Sequence, residues 1–254
     1  MYVIAIHYQP GTGEPLVELL ARALDKTLYE TRARLSSPEG GPAVVASYGE
    51  IEPAWACAGR LRAEGIAPIL LLPEEVEVEA GRFHVRELKL GDESIRATSR
   101  RGETIEVPYR EIDLVLRGTR VDEKTDTKVT EKRKLSLTRA IVTGGFLITK
   151  VTRKVEQVRS EEREDFLHLY AAGKPPLAFR AAALNYQGLG PALQPSIHAN
   201  FNRLAEVLRQ SLPQARWDER LTSRSGRARV LGPALTENHL DIAISLLARV
   251  LRRP

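Results

Sequence analysis

From residue 2 to residue 72 the spacing of apolar residues switches back and forth between every second position and every third or fourth. That switching restricts the fold more than any other feature of the chain. "YVIAIHY" (2–8) alternates and is rich in β-formers, and "QPGTGEP" breaks it with glycine and proline. A helical spacing follows at Leu16, Leu19, Leu20, Ala23 and Leu24. In "TLYETRARL", Thr27 stands three residues before Glu30, the spacing of a capping box, and Leu28, Thr31 and Leu35 share roughly one helical face. "PEGGP" ends that piece. "AVVASY" predicts a second strand, "EPAWACAGRLRAEG" a helix closed by Gly65, and "IAPILLL" a third strand. The order is β-α-α-β-α-β.

The texture changes after "PEEVEVEAG". "RFHVRELKL", "ESIRATSR", "ETIEVPY" and "IDLVLRG" are short alternating segments, which predict a β-meander. "DFLHLYAAGKPPLAFRAAALNYQGLG" resumes the strand pattern at 165–190, and "NFNRLAEVLRQSL" (200–212) supplies an amphipathic helix. At 254 residues the chain divides naturally into two modest domains, at 1–73 and 82–212, the latter interrupted by an insertion over 118–163. The remainder, 213–254, reads as an arginine-rich loop, "WDERLTSRSGRARV", and a final amphipathic helix. Leu240, Ile244, Leu247, Val250 and Leu251 form one face of that helix, and Ile242 and Leu246 widen it. Such a helix packs back onto a domain of the chain or onto a second subunit, and the wide face is the clearest hint in the sequence of a surface for a protein partner or for self-association.

Two resemblances follow from these segments. The first domain, with "ALDKTLYETRARL" and "AGRLRAEGIAPILLL", resembles the C-terminal domain of the bacterial ribosomal stalk protein and looks similar to the protease adaptor that recognises N-terminal degrons. Those domains bind other proteins and catalyse nothing, which is what the likeness implies here. Residues 82–212, with "LKLGDESIRATSRRGETIEVPYREIDLV" and a closing helix, resemble a bacterial pleckstrin-homology-like β-barrel, whose relatives bind lipids, peptides or other domains of their own chain. The expected class is therefore α+β, a small β-α-α-β-α-β domain followed by a PH-like barrel with C-terminal helices.

Charge singles out the insertion. The whole chain carries 38 Lys or Arg against 33 Asp or Glu, whereas residues 117–159 hold twelve against five. Ile141, Val142, Phe146, Leu147 and Ile148 lie between Lys132, Arg133, Lys134 and Arg139 on one side and Lys150, Arg153 and Lys154 on the other. Two readings stand. "SLTRAIV" makes one or two helical turns and "FLITKVTRKV" a core strand whose cations face water. Alternatively, Phe146, Leu147 and Ile148 are an apolar contact, and the seven cations bind an anion or an anionic lipid leaflet. Nucleic acid ranks below lipid, because Phe146 is the insertion's only aromatic residue for stacking on bases.

The residues give little support to catalysis. "TGGFLITK" is not a P-loop, since "FLIT" separates the glycines from the lysine, and G-x-G-x-x-G, H-E-x-x-H and G-x-S-x-G are missing. Cys57, the single cysteine, recurs with Ala54, Ala58 and Leu61 at helical spacing and reads as buried and inert. His7 reads as structural, His84, His168, His198 and His239 are scattered, and "SEERED" reads as a solvated turn. No catalytic residue, metal ligand or cofactor is expected. The expected function is a non-catalytic adaptor or regulatory binding protein, with an enzyme acting at the domain interface or a sequence-independent nucleic-acid binder as alternatives. No stretch reaches the roughly 18 apolar residues that span a bilayer. "MYVIAIHYQP" has neither the charge nor the apolar core of a signal peptide, so the expected location is cytoplasmic, peripheral at a membrane if lipid is bound.

Overall fold

The computed structural model describes residues 1–35, 37, 40–135, 149–236 and 238–252, with the main chain alone at 122–135 and 149–160. Met1–Arg120 together with Glu164–Pro254 form one compact unit, and Val121–Arg163 form a second. The protein is mixed α and β, built on a three-stranded and a seven-stranded sheet.

The first seventy residues follow their periodicities. Strands β1 (Tyr2–Tyr8), β2 (Gly41–Tyr48) and β3 (Pro68–Leu71) alternate with helices α1 (Gly13–Leu24), α2 (Leu28–Arg34) and α3 (Ile51–Ala63). Strand β1 is central, antiparallel to both neighbours. The capping box forms as expected. Glu30 N–H donates to Thr27 Oγ1 at 3.2 Å, and Thr27 N–H donates to Glu30 Oε2 at 3.0 Å. Thr31 is buried beneath it, whereas Leu28 stays exposed. Cys57 is a free, buried core thiol, in line with its helical spacing.

β1 buries both faces. Ile4, Ile6 and Tyr8 pack with Leu20, Cys57 and Leu61 of the helices, while Val3 and Ala5 belong to a second cluster. That second cluster contains Leu114, Leu116, Phe166 and Tyr170 of the large sheet and most of the C-terminal helix. The small sheet is thus packed into one unit with the rest of residues 1–120 and 164–254.

The large sheet runs in the order β10-β7-β8-β9-β4-β5-β6, from strands β4 (Phe83–Leu90), β5 (Ser94–Ser99), β6 (Thr104–Pro108), β7 (Ile112–Leu135), β8 (Thr149–Ala171), β9 (Leu177–Arg180) and β10 (Arg216–Leu221). β10 and β6 are its two ends, so it is an open sheet and not the closed barrel expected. The expected four-strand meander stops after three. Thr104 and Glu106 leave β6 exposed, suited to an edge, and Pro108 with the 3-10 turn Tyr109–Glu111 leads the chain away from it. β7 buries Leu114 and Leu116 in one apolar cluster and Val115, on its opposite face, in the other. A strand that is apolar on both faces belongs inside a sheet, and β7 lies between β10 and β8.

Helix α4 (Ile197–Ser211) is capped by Ser196, which accepts from Ala199 N–H at 3.2 Å. Phe201, Leu204 and Leu208 of α4 cover the other face of the large sheet. The arginine-rich loop expected at the start of 213–254 is instead β10, parallel to β7, and helix α5 (Arg224–Leu231). Leu221, Val230 and Leu231 anchor these elements, and the buried Arg227 donates to Thr119 O at 3.0 Å. "SEERED" likewise lies within β8 and is not a turn. In both stretches the pairing partner lies far along the chain and overrides a polar local composition.

Helix α6 (Leu240–Leu251) buries Ile242 and Leu246, the residues expected to widen a partner-binding face. Of the two expected alternatives the helix takes the first, packing back onto the chain's own sheets. The Leu246 side chain is fully enclosed, so Leu246→Ala is expected to cost about 2–5 kcal/mol of unfolding free energy in chemical denaturation. Leu193→Ala, at an exposed position, is expected to stay within about 0.5 kcal/mol of the parent.

Candidate functional site

Alternation along three neighbouring strands gathers polar residues on one face of the large sheet. His84 of β4 and His168 of β8 each lie opposite Ala178 of β9, and Arg180 lies opposite Phe166. Two histidines 84 residues apart in sequence therefore occupy one row, separated by a single alanine. Sequence spacing gave no sign of this, because the row exists only once β9 is inserted between β4 and β8.

At one end of this face is a buried cluster of charges. The Arg82 side chain is 1% exposed and donates to Glu79 Oε2 at 2.6 Å, to Asp241 Oδ1 at 2.9 Å and to the Glu77 carbonyl at 2.9 Å. Its Nε has no hydrogen-bond partner among the described residues and lies 4.0 Å from Glu77 Oε2. Arg120 and Arg180 approach Glu79 Oε1 from further round, each at 3.5 Å. Tyr170 donates to Glu77 Oε2 at 2.9 Å, and Glu77 N–H donates to Ser245 Oγ of α6 at 2.8 Å. Burial raises the Glu77 carboxyl above its usual range against the pull of Tyr170 and Arg82. Burial opposes ionisation at Glu79 too, but Arg120 and Arg82 outweigh it and hold that carboxyl below its usual value.

His168 is the neutral member. Burial, reinforced by Arg82, His84 and Arg120, pushes its pKa well below 6.5, and its Nδ1 has no hydrogen-bond partner among the described residues. Phe166 lies against the ring at 4.8 Å between centroids. The space bounded by Glu79, Arg82, Arg120, Glu164, His168 and Arg180 is about 10 Å3, the scale of one water molecule and too small for a metabolite. Acids, guanidinium groups and an imidazole meet here in a packed joint between the β3–β4 connection, β8 and α6.

Further along the same face the sheet opens into a cleft of about 440 Å3, lined by His84, Arg86, Arg100 and Arg180 over Val85 and alanines. A second cleft, of about 580 Å3, has His7, Trp217, Asp218, Arg220 and Arg229 on its walls. His7, expected to be structural, is exposed there, and partial burial with Arg220 and Arg216 lowers its pKa. His198 approaches Asp165 at 3.5 Å, and His239 bonds Thr236. Among the described residues no group of three His, Cys, Asp or Glu is placed to hold a metal ion, and no helix is long and apolar enough to cross a membrane.

Of the expected anion-binding residues, Lys132, Arg133 and Lys134 fall on β7, and Lys150, Arg153 and Lys154 on β8. Arg139 and the expected apolar contact at Phe146, Leu147 and Ile148 lie outside the described residues. Compared with protein-family models, with curated proteins and with solved structures, the chain matches none.

The buried imidazole generates a pH dependence with a definite sign. Below pH 6.5 the unfolded chain takes up a proton at His168 that the folded chain refuses. Its contribution is therefore complete above that pH and lost as pH falls through and below it, by at most about 1.4 kcal/mol per pH unit. Comparing unfolding free energies at about pH 7.5 and about pH 5.5, the parent is expected to lose more stability than His168→Leu, whose side chain cannot titrate. Equal losses would place the pH sensitivity elsewhere.

Proposed function

We propose that this protein is a non-catalytic adaptor that docks on anionic membrane surfaces through residues 121–163. The observation that carries the reading is the distribution of charge between the two units. Val121–Arg163 hold eleven Lys or Arg against seven Asp or Glu, leaving twenty-seven against twenty-six in the rest of the chain. Four of the five net positive charges thus belong to 43 residues. Within 127–155 the contrast sharpens to eight cations against Glu131 alone.

Long strands support the same reading. β7 and β8 are 24 and 23 residues long and neighbours in the sheet, several times the usual strand length of five or six residues. Cations close to an anionic leaflet contribute about 1 kcal/mol each, so eight of them suffice for docking that salt weakens. The sequence between the strands adds Ile141, Val142, Phe146, Leu147 and Ile148, the composition of an apolar wedge flanked by cations. The likeness of 82–212 to pleckstrin-homology-like domains, and of 2–72 to protein-binding domains, points towards binding in the same way. On this reading the finer fold is a PH-like domain whose strands stay open.

Sedimentation with vesicles tests the proposal. Full-length protein is expected to pellet with phosphatidylserine-containing vesicles and not with phosphatidylcholine alone. Reversing Lys132, Arg133, Lys134, Arg153 and Lys154 to Glu is expected to weaken retention more than ~1000-fold at about 1 kcal/mol per charge. Unchanged retention, or binding that follows duplex DNA and ignores vesicle composition, would overturn it.

A further inference from the structure

We propose that the cleft on the open face of the large sheet is a binding site for a small phosphorylated ligand, held by Arg86 and Arg100 with Arg180 behind them. This site lies wholly within residues 1–120 and 164–254, so it does not depend on the membrane reading.

The first observation is an imbalance in pairing. Arg22, Arg32, Arg96, Arg209 and Arg249 each meet a carboxylate at 2.6–2.9 Å, so arginine in this fold is ordinarily neutralised where it stands. The cleft differs. Among the described residues no Asp or Glu lines it, and neither Arg86 nor Arg100 has a carboxylate partner. The second cleft is larger, but Asp218 stands on its wall and binds Arg220 at 2.5 Å.

The backbone also aims these residues. Val85 pairs with Ser99 and Glu87 with Thr98, so Arg86 is the extra residue of a β-bulge in β4. A bulge redirects the side chain it carries and recurs beside binding sites. The Arg86 carbonyl accepts from Asn185 N–H at 2.7 Å, and its Nη1 donates to the Ala183 carbonyl, which fixes both ends of the residue. Arg100 follows β5 in a tight turn that closes with Gly102 N–H donating to Ser99 O at 3.0 Å, where Gly102 adopts φ +84°. That turn sets Arg100 beside the bulge. Arg180 Nε donates to Glu164 Oε2 at 2.8 Å, and Nη2 donates to the same oxygen, so its guanidinium is held in place.

Ligand class follows from shape and charge. Guanidinium groups bind phosphoryl oxygens through paired, parallel N–H donors. A volume of about 440 Å3 exceeds what inorganic phosphate needs and falls in the range of metabolite sites. Ala178, Ala182 and Val85 give the ligand's organic body an apolar floor. A phosphate monoester or diphosphate on a compact organic group satisfies both parts.

Isothermal titration of the full chain with pyrophosphate, ribose 5-phosphate and citrate tests the site. Saturable binding of the two phosphorylated probes is expected, with citrate weaker. Arg86→Gln and Arg100→Glu are each expected to weaken that binding at least ~10-fold, while the five-residue charge reversal in 121–163 leaves it unchanged. Arg100 makes no hydrogen bond or ion pair among the described residues, so a folding defect at Arg86 would leave Arg100→Glu as a clean test. No saturable binding, or binding that survives Arg100→Glu and disappears with the 121–163 reversal, would overturn the proposal. The failure of vesicle docking alone would not touch it.

Discussion

The compact unit of this protein depends on one packing constraint: its two sheets share a single apolar cluster, and helix α6 has to be apolar nearly all round to complete it. Leu240, Ile242, Ala243, Ile244, Leu246 and Leu247 of that helix are buried with Val3 and Ala5 of the small sheet and Leu116 and Phe166 of the large one. An amphipathic helix with one polar side would leave that side without water or partners, at a cost of one to several kcal/mol for each stranded group. The only polar residue α6 buries, Ser245, is satisfied by donating to the Asp241 carbonyl at 2.6 Å and accepting from Glu77 N–H.

Where the apolar cluster ends, the Arg82 cluster begins. Removing Arg82 would leave Glu79 and Asp241 with only the longer contacts from Arg120 and Arg180 at 3.5–4.0 Å, so the side chain specifies how the β3–β4 connection meets the first turn of α6. Buried pairs of this kind repay their desolvation only with good geometry and satisfied hydrogen bonds. Here three acceptors surround one guanidinium, while Nε and His168 Nδ1 have no hydrogen-bond partner among the described residues. The cluster is thus a joint with perturbed acids and bases but no room for a substrate. The roomier clefts lie elsewhere, one lined by His84, Arg86 and Arg100 and the other by His7, Trp217 and Arg220.

Binding capacity is distributed differently from stability. The acidic residues of the main unit nearly cancel its arginines, whereas cations accumulate between 127 and 155 and at the bulge of β4. At the bulge, Arg86 has no carboxylate partner among the described residues. Cations concentrated in the sequence of two long strands suit a broad anionic surface, and those converging on a small concave site suit a compact anion.

The sequence alone determined the elements whose signals are local. The strand and helix order of residues 2–72, the Thr27–Glu30 cap, the burial of Cys57 and the concentration of cations in 118–163 were all legible, because periodicity, capping and charge depend on residues within a turn or two of each other. Tertiary structure decided the rest. Only long-range pairing made "WDERL" a strand beside β7, opened the sheet where a barrel was expected, drew "SEERED" into β8 and enclosed the wide face of α6. The same holds for the candidate sites. His84 and His168 share a row, and Arg86, Arg100 and Arg180 share a cleft, because β9 lies between β4 and β8 and a bulge shifts the register by one residue. Register and strand order are set by how both faces of a sheet are buried at once, a property of the assembled chain that no local window of sequence contains.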